Sequence, residues 1–426
     1  MSTEHITVGL VGYQNDYRST LLRAFLDDKT YPVKSGILSI HEAQILKCAS
    51  TDTTCYISRK HGLGGREFCA HQGHQSDQVV VSRDVSFLAL PDKIEYASTV
   101  LGGMYLLDGI LILSDAKLNF SRLPTLELIA AASMLNKKVV LIQILNDVSE
   151  ADSRIVEHYQ EITQLIGKMN LEKPIIIPVL VSGTSDIGTL CARINDMCLE
   201  EYDKQAPVEM LIIDNFLKED EETGETVLTI SARILKGTVK KNQQLEIRPG
   251  SVSRDKDGQP KCNPIIINVA SLDSIRGNVQ LEQAVAGDMI AIRSNINYDR
   301  IGGIVVNLSG YIIGDVNSLP EVFSAMKVKI SLLPLMFNSY IEEFKEVPKI
   351  EKDEKLLLTI GMLSAEARVW KIVNENTIIV SLRSPICARI KDKVFLLRPM
   401  NVSWRLIGHG QIEDGKAIRI DESIHG

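Results

Sequence analysis

The chain contains no run of about 18 or more uncharged apolar residues, the length a membrane-spanning helix needs, although 45% of its 426 residues are hydrophobic. No membrane partner is therefore expected, and the apolar residues are enough to fill several buried cores. Cysteines are scarce and odd in number, seven in all, which fits free thiols in a reducing compartment better than a disulfide framework. The opening Met1-Ser2-Thr3-Glu4-His5 is polar, unlike a secretory leader. A cytoplasmic protein is expected. There is also no excess of positive charge: 47 Lys and Arg against 54 Asp and Glu leave a net charge of -7. A general nucleic-acid binder needs such an excess to displace counterions, so only a local basic face remains open.

The next absences are local. The stretch Val8-Gly9-Leu10-Val11-Gly12-Tyr13-Gln14-Asn15-Asp16-Tyr17-Arg18-Ser19-Thr20 has the layout of a phosphate loop, G-x-x-x-x-G-K-[ST], following a buried strand. Such a loop needs glycines to bring backbone N–H groups to the phosphates and a lysine to neutralise them. Gly12, Ser19 and Thr20 hold their places. Tyr17 stands where the second glycine belongs and Arg18 where the lysine belongs, while Asp16 adds an anion where an anionic ligand would lie. An ordinary strand-turn-helix is the competing reading of this stretch.

Before about residue 204, apolar runs alternate with amphipathic stretches. Ile6-Gly12, Val85-Leu90, Gly109-Leu113, Lys138-Leu145 and Ile175-Val181 read as buried strands. Ser19-Asp27, Thr125-Leu135 after Pro124, Glu150-Met169 and Asp186-Tyr202 read as helices. The alternation predicts a parallel α/β sheet. After Pro207 helical periodicity nearly vanishes. Strands are expected at Val208-Phe216, Thr226-Leu235, Gln243-Ile247, Ile265-Val269, Met289-Ile292 and Ile304-Val306. Beyond Leu319-Pro320 they resume at Met326-Leu332, Leu356-Ile360, Ala367-Val373, Thr377-Leu382, Val394-Leu397 and Ala417-Ile420. The predicted architecture is an α/β domain (1–206) followed by two antiparallel β-barrels (207–325 and 326–426). Lys345-Lys355 reads as an exposed loop and Lys218-Glu225 as a hairpin connection.

Particular stretches carry a resemblance. Ser231-Gly237 with Leu245-Gly250, Leu319-Phe323, Ile360-Ser364 and Trp404-Ile412 are similar to the gamma subunit of eukaryotic and archaeal translation initiation factor 2, a translational GTPase family. The resemblance runs from about Ile6 to Ile420 and implies a P-loop GTPase-like domain and two barrels. It also implies alpha and beta subunits, initiator tRNA and the small ribosomal subunit as partners.

Set against that family, the nucleotide motifs are degenerate. Val85-Ser86-Phe87-Leu88-Ala89-Leu90-Pro91-Asp92-Lys93 matches a second switch normally written V-S-F-V-D-C-P-G-H. Ala89 replaces the aspartate that supports magnesium and has no oxygen to offer a hard cation. Asp92 replaces the glycine that meets the γ-phosphate, and a carboxylate about 4 Å from a phosphate is repelled by about 4 kcal/mol per charge pair at an effective dielectric near 20. Lys93 replaces the histidine that orients water. In Ile144-Leu145-Asn146-Asp147 only Asp147 remains of N-K-x-D, and Ser35 is the nearest candidate for the first-switch threonine. The expected nucleotide-binding remnant is Gly12, Arg18, Ser19, Thr20 and Asp147, with no catalytic residue and no cofactor. Function should follow the site rather than the fold.

Cys48, Cys55, His61, Cys69, His71 and His74 lie in one expected loop, where members of the resembled family often carry a cysteine zinc knuckle. Without a C-x-x-C pair, a loop that has lost its knuckle is expected rather than a closed zinc site, and no metal is assigned. His409 reads as a packing substitution. Arg233, Lys236, Lys240, Lys241, Arg248, Arg254, Lys256 and Lys261 form either an RNA-facing stretch or a solvated strand face. Two functions remain. One is a non-hydrolysing scaffold or regulator that binds initiation-factor subunits or initiator tRNA. The other is a divergent but working GTP- and Mg-dependent carrier of initiator methionyl-tRNA.

Overall fold

The computed structural model describes residues 5–13, 17–28, 38–48, 55–60, 68–69, 77–122, 124–145, 151–180, 187–197, 201–219, 226–275, 279–297, 307–401, 403–420 and 424–425. By mutual contact the chain divides into two units. One comprises Met1–Glu200, Leu333–Val347 and Met400–Leu406; the other comprises Glu201–Leu332, Pro348–Pro399 and Ile407–Gly426.

The first unit is built on β1 (His5–Val11), whose Ile6, Val8, Leu10 and Val11 are all fully buried, as a strand covered on both faces requires. Then come α1 (Tyr17–Leu26), β2 (Ser39–Cys48), β3 (Tyr56–Lys60), β4 (Val79–Ala89), α2 (Ala97–Gly103) and β5 (Gly109–Asp115). α3 (Thr125–Met134), β6 (Lys138–Leu145), α4 (Ala151–Lys168), β7 (Ile175–Leu180) and α5 (Ile187–Asn195) complete it. The sheet order is β3-β2-β4-β1-β5-β6-β7. β4, β1, β5, β6 and β7 run parallel, but β2 is antiparallel to both β3 and β4. The sheet is therefore mixed, a correction to the all-parallel expectation. β2 alternates buried and half-buried residues, so it lacks the continuous apolar run by which a buried strand is recognised.

The first barrel comprises β8 (Glu209–Glu219), β9 (Thr226–Lys236), β10 (Thr238–Lys240), β11 (Gln244–Arg254), β12 (Pro260–Ser274), β13 (Val279–Leu281), β14 (Gln283–Val285), β15 (Met289–Asn297) and β16 (Ile312–Asp315). Its ring β11-β16-β8-β9-β15-β12 is closed by the β11–β12 pairing. Leu228, Ile230, Ala232 and Ile234, every second residue of β9, are fully buried in its core, the period of a strand with one face inward. The expected strand at Ile304-Val306 and the tip of the β8–β9 hairpin (220–225) lie outside the described residues.

The second barrel has the order β17-β22-β21-β20-β23-β24. Its members are β17 (Val322–Leu332), β20 (Lys355–Ile360), β21 (Leu363–Asn374), β22 (Thr377–Cys387), β23 (Lys393–Met400) and β24 (Ser403–Ala417), with the hairpin β18 (Leu335–Asn338) and β19 (Glu343–Glu346) inserted after β17. The stretch expected to be an exposed loop thus begins as β19. The strand expected at Ala417-Ile420 also departs from its assignment: β25 (Arg419–Ile420) and β26 (Ile424–His425) pair with β12 of the first barrel.

Two stretches flagged separately in the sequence meet in this fold. A bulge interrupts β11 between Ile247 and Ser251, where Gly250 has φ +72° and a Cβ would lie 2.1 Å from the Asn263 carbonyl, so only glycine fits. Arg248 is buried there, bonds Glu246 at 2.6 Å and donates to the carbonyls of Leu319 and Pro320 at 3.0 Å. It ties the bulge to the start of the second barrel. Arg233 is likewise buried and donates to the Tyr202 hydroxyl at 2.7 Å. These two arginines act inside the barrel, which removes them from the basic stretch; Lys240, Arg254 and Lys256 are exposed.

Candidate nucleotide site

The carboxyl ends of β1 and β4 meet the N-terminus of α1, the place where open α/β sheets hold ligands. Gly12 is explained by packing there: a Cβ would lie 2.8 Å from the Leu113 carbonyl of β5. Its retention needs no phosphate. Tyr17 lies against the sheet core, and Ser19 and Thr20 follow on α1, half-buried and exposed. Gln14, Asn15, Asp16, Ser35, Asn146 and Asp147 lie outside the described residues, so the structure brings together Gly12, Arg18, Ser19 and Thr20 of the expected remnant.

Arg18 is the centre of the site. It is only 3% exposed, donates through Nη1 to the Leu90 carbonyl, and holds the Asp92 carboxylate 3.4 Å from Nη2. Burial lowers its pKa and Asp92 opposes that shift, the pattern of a cation taken out of water and paired. Beside it, β4 ends in the fully buried methyl of Ala89. Lys93 is exposed. His41 of β2 is a neighbour with no signal in any motif: it is buried, its Nε2 lies 2.8 Å from Ser39 Oγ, and burial followed by the Arg18 charge lowers its pKa to about 4. A neutral imidazole beside Arg18 is the consequence.

Along the same N-terminal part of α1, Tyr17, Thr20, Ile142, Ile144, Val179 and Ile187 line a cavity of about 30 Å³. Ligand pockets run from about 300 Å³, so these residues close up on one another. Ile144 and Leu145, where base-contacting residues would begin, are buried.

The same unit contains a second buried charge cluster that sequence reasoning missed. Arg405 of β24 is fully buried, donates to the Ile94 carbonyl at 3.0 Å and lies 3.5 Å from Glu127 of α3, itself 1% exposed. Burial pushes Glu127 up to about 7 against the pull of Arg405. Burial also raises the Tyr13 hydroxyl, with Arg405 and Glu127 as its charged neighbours. Ile94 and Arg405 are 311 residues apart, and no local pattern announces their contact.

The thiols of Cys48, Cys55 and Cys69 also converge, their sulfurs all within 4.8 Å of one another. Backbone bonds place them: Cys48 N–H donates to the Cys55 carbonyl at 3.1 Å and Cys69 N–H to the Asp77 carbonyl at 2.9 Å. Cys48 ends β2 and Cys55 precedes β3, so the expected single loop contains a strand. His61, His71 and His74 lie outside the described residues.

Comparison with known proteins adds the family. A model of the C-terminal region of initiation factor eIF2 gamma matches residues 324–412, which is β17 through most of β24. The chain is 28% identical to eukaryotic translation initiation factor 2 subunit 3 of Drosophila melanogaster, covering 97% of this chain and 89% of that one. It is 26% identical to translation initiation factor 2 subunit gamma of Thermococcus onnurineus, covering 96% and 97%. By sequence, the chain is similar to initiation factor 2 gamma subunits over nearly its full length. Solved structures of similar fold include elongation factor SelB of Methanococcus maripaludis in complex with the GTP analogue GPPNHP. It has a TM-score of 0.70 at 16% identity, over 98% of this chain and 81% of that one. A bacterial selenocysteine-specific elongation factor follows at TM-score 0.65 and 14% identity, over 97% of this chain and 59% of that one. These share the fold: a mixed α/β domain and two antiparallel barrels. The likeness to gamma subunits spans nearly the whole chain, and the fold likeness to the elongation factors spans it as well. Among the described residues no helix is long and apolar enough to cross a membrane.

Proposed function

We propose that this chain is a gamma-subunit-like translation initiation protein whose GTPase-like domain no longer binds or hydrolyses GTP, and that it acts as a scaffold or regulator. One observation carries the reading: Arg18, at the position of the phosphate-binding lysine, is engaged by the protein's own Leu90 carbonyl and Asp92 carboxylate. An incoming phosphate would have to break a buried ion pair and sit beside Asp92, while Ala89 offers magnesium no oxygen. Its partners are the alpha and beta subunits, with initiator tRNA and the small ribosomal subunit, by its likeness to gamma subunits.

The three thiols fit the donor set of a structural zinc, which binds thiolates in a tetrahedron. Cys48, Cys55 and Cys69 would hold it, and it would tie the β2–β3 end to the segment before β4. Without a cation, burial raises the pKa of Cys48 and Cys55; bound metal would take them as thiolates and release protons. The reading that the knuckle was lost rested on spacing alone. Strand pairing supplies the proximity that the spacing withholds.

Titration calorimetry of the full chain with GTP and magnesium tests the nucleotide reading, with no binding heat expected. A dissociation constant in the low micromolar range, about 8 kcal/mol of binding, would replace it with the working GTP-dependent carrier. Purification of the tagged chain from its native cells tests the partners: recovery of an initiation-factor subunit is expected, and recovery of none sinks the scaffold reading.

A further inference from the structure

Building on the non-binding reading above, we propose that the Arg18–Asp92 ion pair stands in for a bound phosphate, holding the segment after β4 in the position a nucleotide would otherwise set. In nucleotide switches the γ-phosphate orders the backbone that follows this strand, and the order is lost when the phosphate leaves. Here a carboxylate borne by the segment itself meets the phosphate-loop cation at 3.4 Å. Arg18 also donates to the Leu90 carbonyl, so the guanidinium grips the chain at both sides of Pro91. The anion is covalently part of the protein and cannot be hydrolysed or released.

The consequence extends along the chain. Directly after Asp92 and Lys93 comes a 3-10 turn, Ile94–Tyr96, leading into α2. The Ile94 carbonyl accepts from Arg405, which reaches Glu127 at 3.5 Å and lies beside Tyr13. Both ends of this relay are buried arginines, 3% and 0% exposed, and the 3-10 turn lies between them. A segment pinned at Asp92 by one guanidinium and at Ile94 by another has a single position. The same residues that exclude nucleotide thus supply a permanently ordered switch, and the Arg405 contact is held without a cycle.

Hydrogen exchange of the full chain is the test, read at the amides of 93–103, with β6 of the same unit as the internal measure of folding. Asp92→Asn and Arg18→Met are each expected to speed exchange of 93–103 at least tenfold, and the double variant no further than either alone, because both remove one interaction. Asp92→Glu should keep most of the protection. Asp92→Ser replaces Asp92→Asn if β6 protection shows that the latter has not folded. Millimolar pyrophosphate should restore protection to the Asp92→Asn protein, whose Arg18 is left without its anion, and not to Arg18→Met. Single-variant exchange within twofold of the unsubstituted chain, effects that multiply in the double variant, or failure of pyrophosphate to rescue would each overturn the proposal. A separate arm adds GTP and magnesium to the unsubstituted chain. Protection gained there would overturn the non-binding reading itself, whereas failed variants without any GTP effect would overturn the stand-in alone.

Discussion

Glu127 is a carboxyl placed where ionisation is costly. Its folded pKa, pushed up to about 7 by burial, lies above the ordinary carboxylate value of about 4.3, so between those values the native state holds a proton that the unfolded chain has lost. By linkage, the contribution of this group to stability is full below about pH 4.3 and is lost as pH rises through 7. His41 and His158, both lowered to about 4 chiefly by burial, slope the other way and lose their contribution as pH falls from about 6.5 through 4. Glu127→Gln isolates the first effect, because the amide stays neutral at all pH. Denaturant unfolding at pH 5 and pH 8 should show the variant gaining on the unsubstituted chain at the higher pH, by up to about 3 kcal/mol. An equal difference at both pH values would contradict the buried, proton-binding Glu127.

Two elements carry predictions of their own. Rebuilding the loop between β1 and α1 with Tyr17→Gly and Arg18→Lys should not restore GTP binding, because Ala89 and Asp92 remain at the end of β4. It should cost stability, about 1 kcal/mol for glycine on the helix and about 1 to 3 kcal/mol for the lost guanidinium bonds. Calorimetry with GTP and thermal unfolding of the same protein check both halves; micromolar binding by the double variant would show that the loop alone decided the outcome. At the β2–β3 end, one zinc per chain is expected by elemental analysis, lost in Cys55→Ser and Cys69→Ser. Zinc-free protein in which added zinc does not alter unfolding would return the thiols to simple packing. The sequence offered three cysteines separated by 6 and 13 residues, and only the pairing of β2 with β3 and β4, with the Cys69–Asp77 backbone bond, puts their sulfurs within 4.8 Å.

At the scale of the whole molecule, Leu333–Val347 and Met400–Leu406 are grouped by contact with residues 1–200. Met336, Phe337 and Leu406 there are 3%, 1% and 0% exposed. Cutting the chain before residue 207 should therefore uncover apolar surface. The fragment 207–426 is expected to bind a hydrophobic dye several-fold more strongly than the full chain, and equal fluorescence would show that the barrels keep those side chains covered unaided. Partner capture belongs with the full chain for this reason.

The sequence by itself determined many of the elements and their class, because the burial period of each segment is local, but it marked no strand at β2, β3 or β16 and no helix at α2. Buried runs marked β1, β5 and β6, alternation marked most barrel strands, and the apolar run of β7, expected to be buried, is an edge strand that buries only Ile177 and Val179. The sequence also places Ala89, Asp92 and Lys93 at positions where an acid, a glycine and a histidine are expected from the resemblance, since residue identity alone decides which chemistry a position lacks. Tertiary structure decided the rest. The direction of β2, the pairing of β25 with β12 and the bond from Arg248 to the Leu319 carbonyl join segments whose separation leaves no periodic trace. Arg18 reaches Asp92 across 74 residues and Arg405 reaches Ile94 across 311. A charge in a sequence carries no record of its partner. Only closure of the chain, which excludes water and makes an unpaired buried charge costly, assigns Asp92 to Arg18.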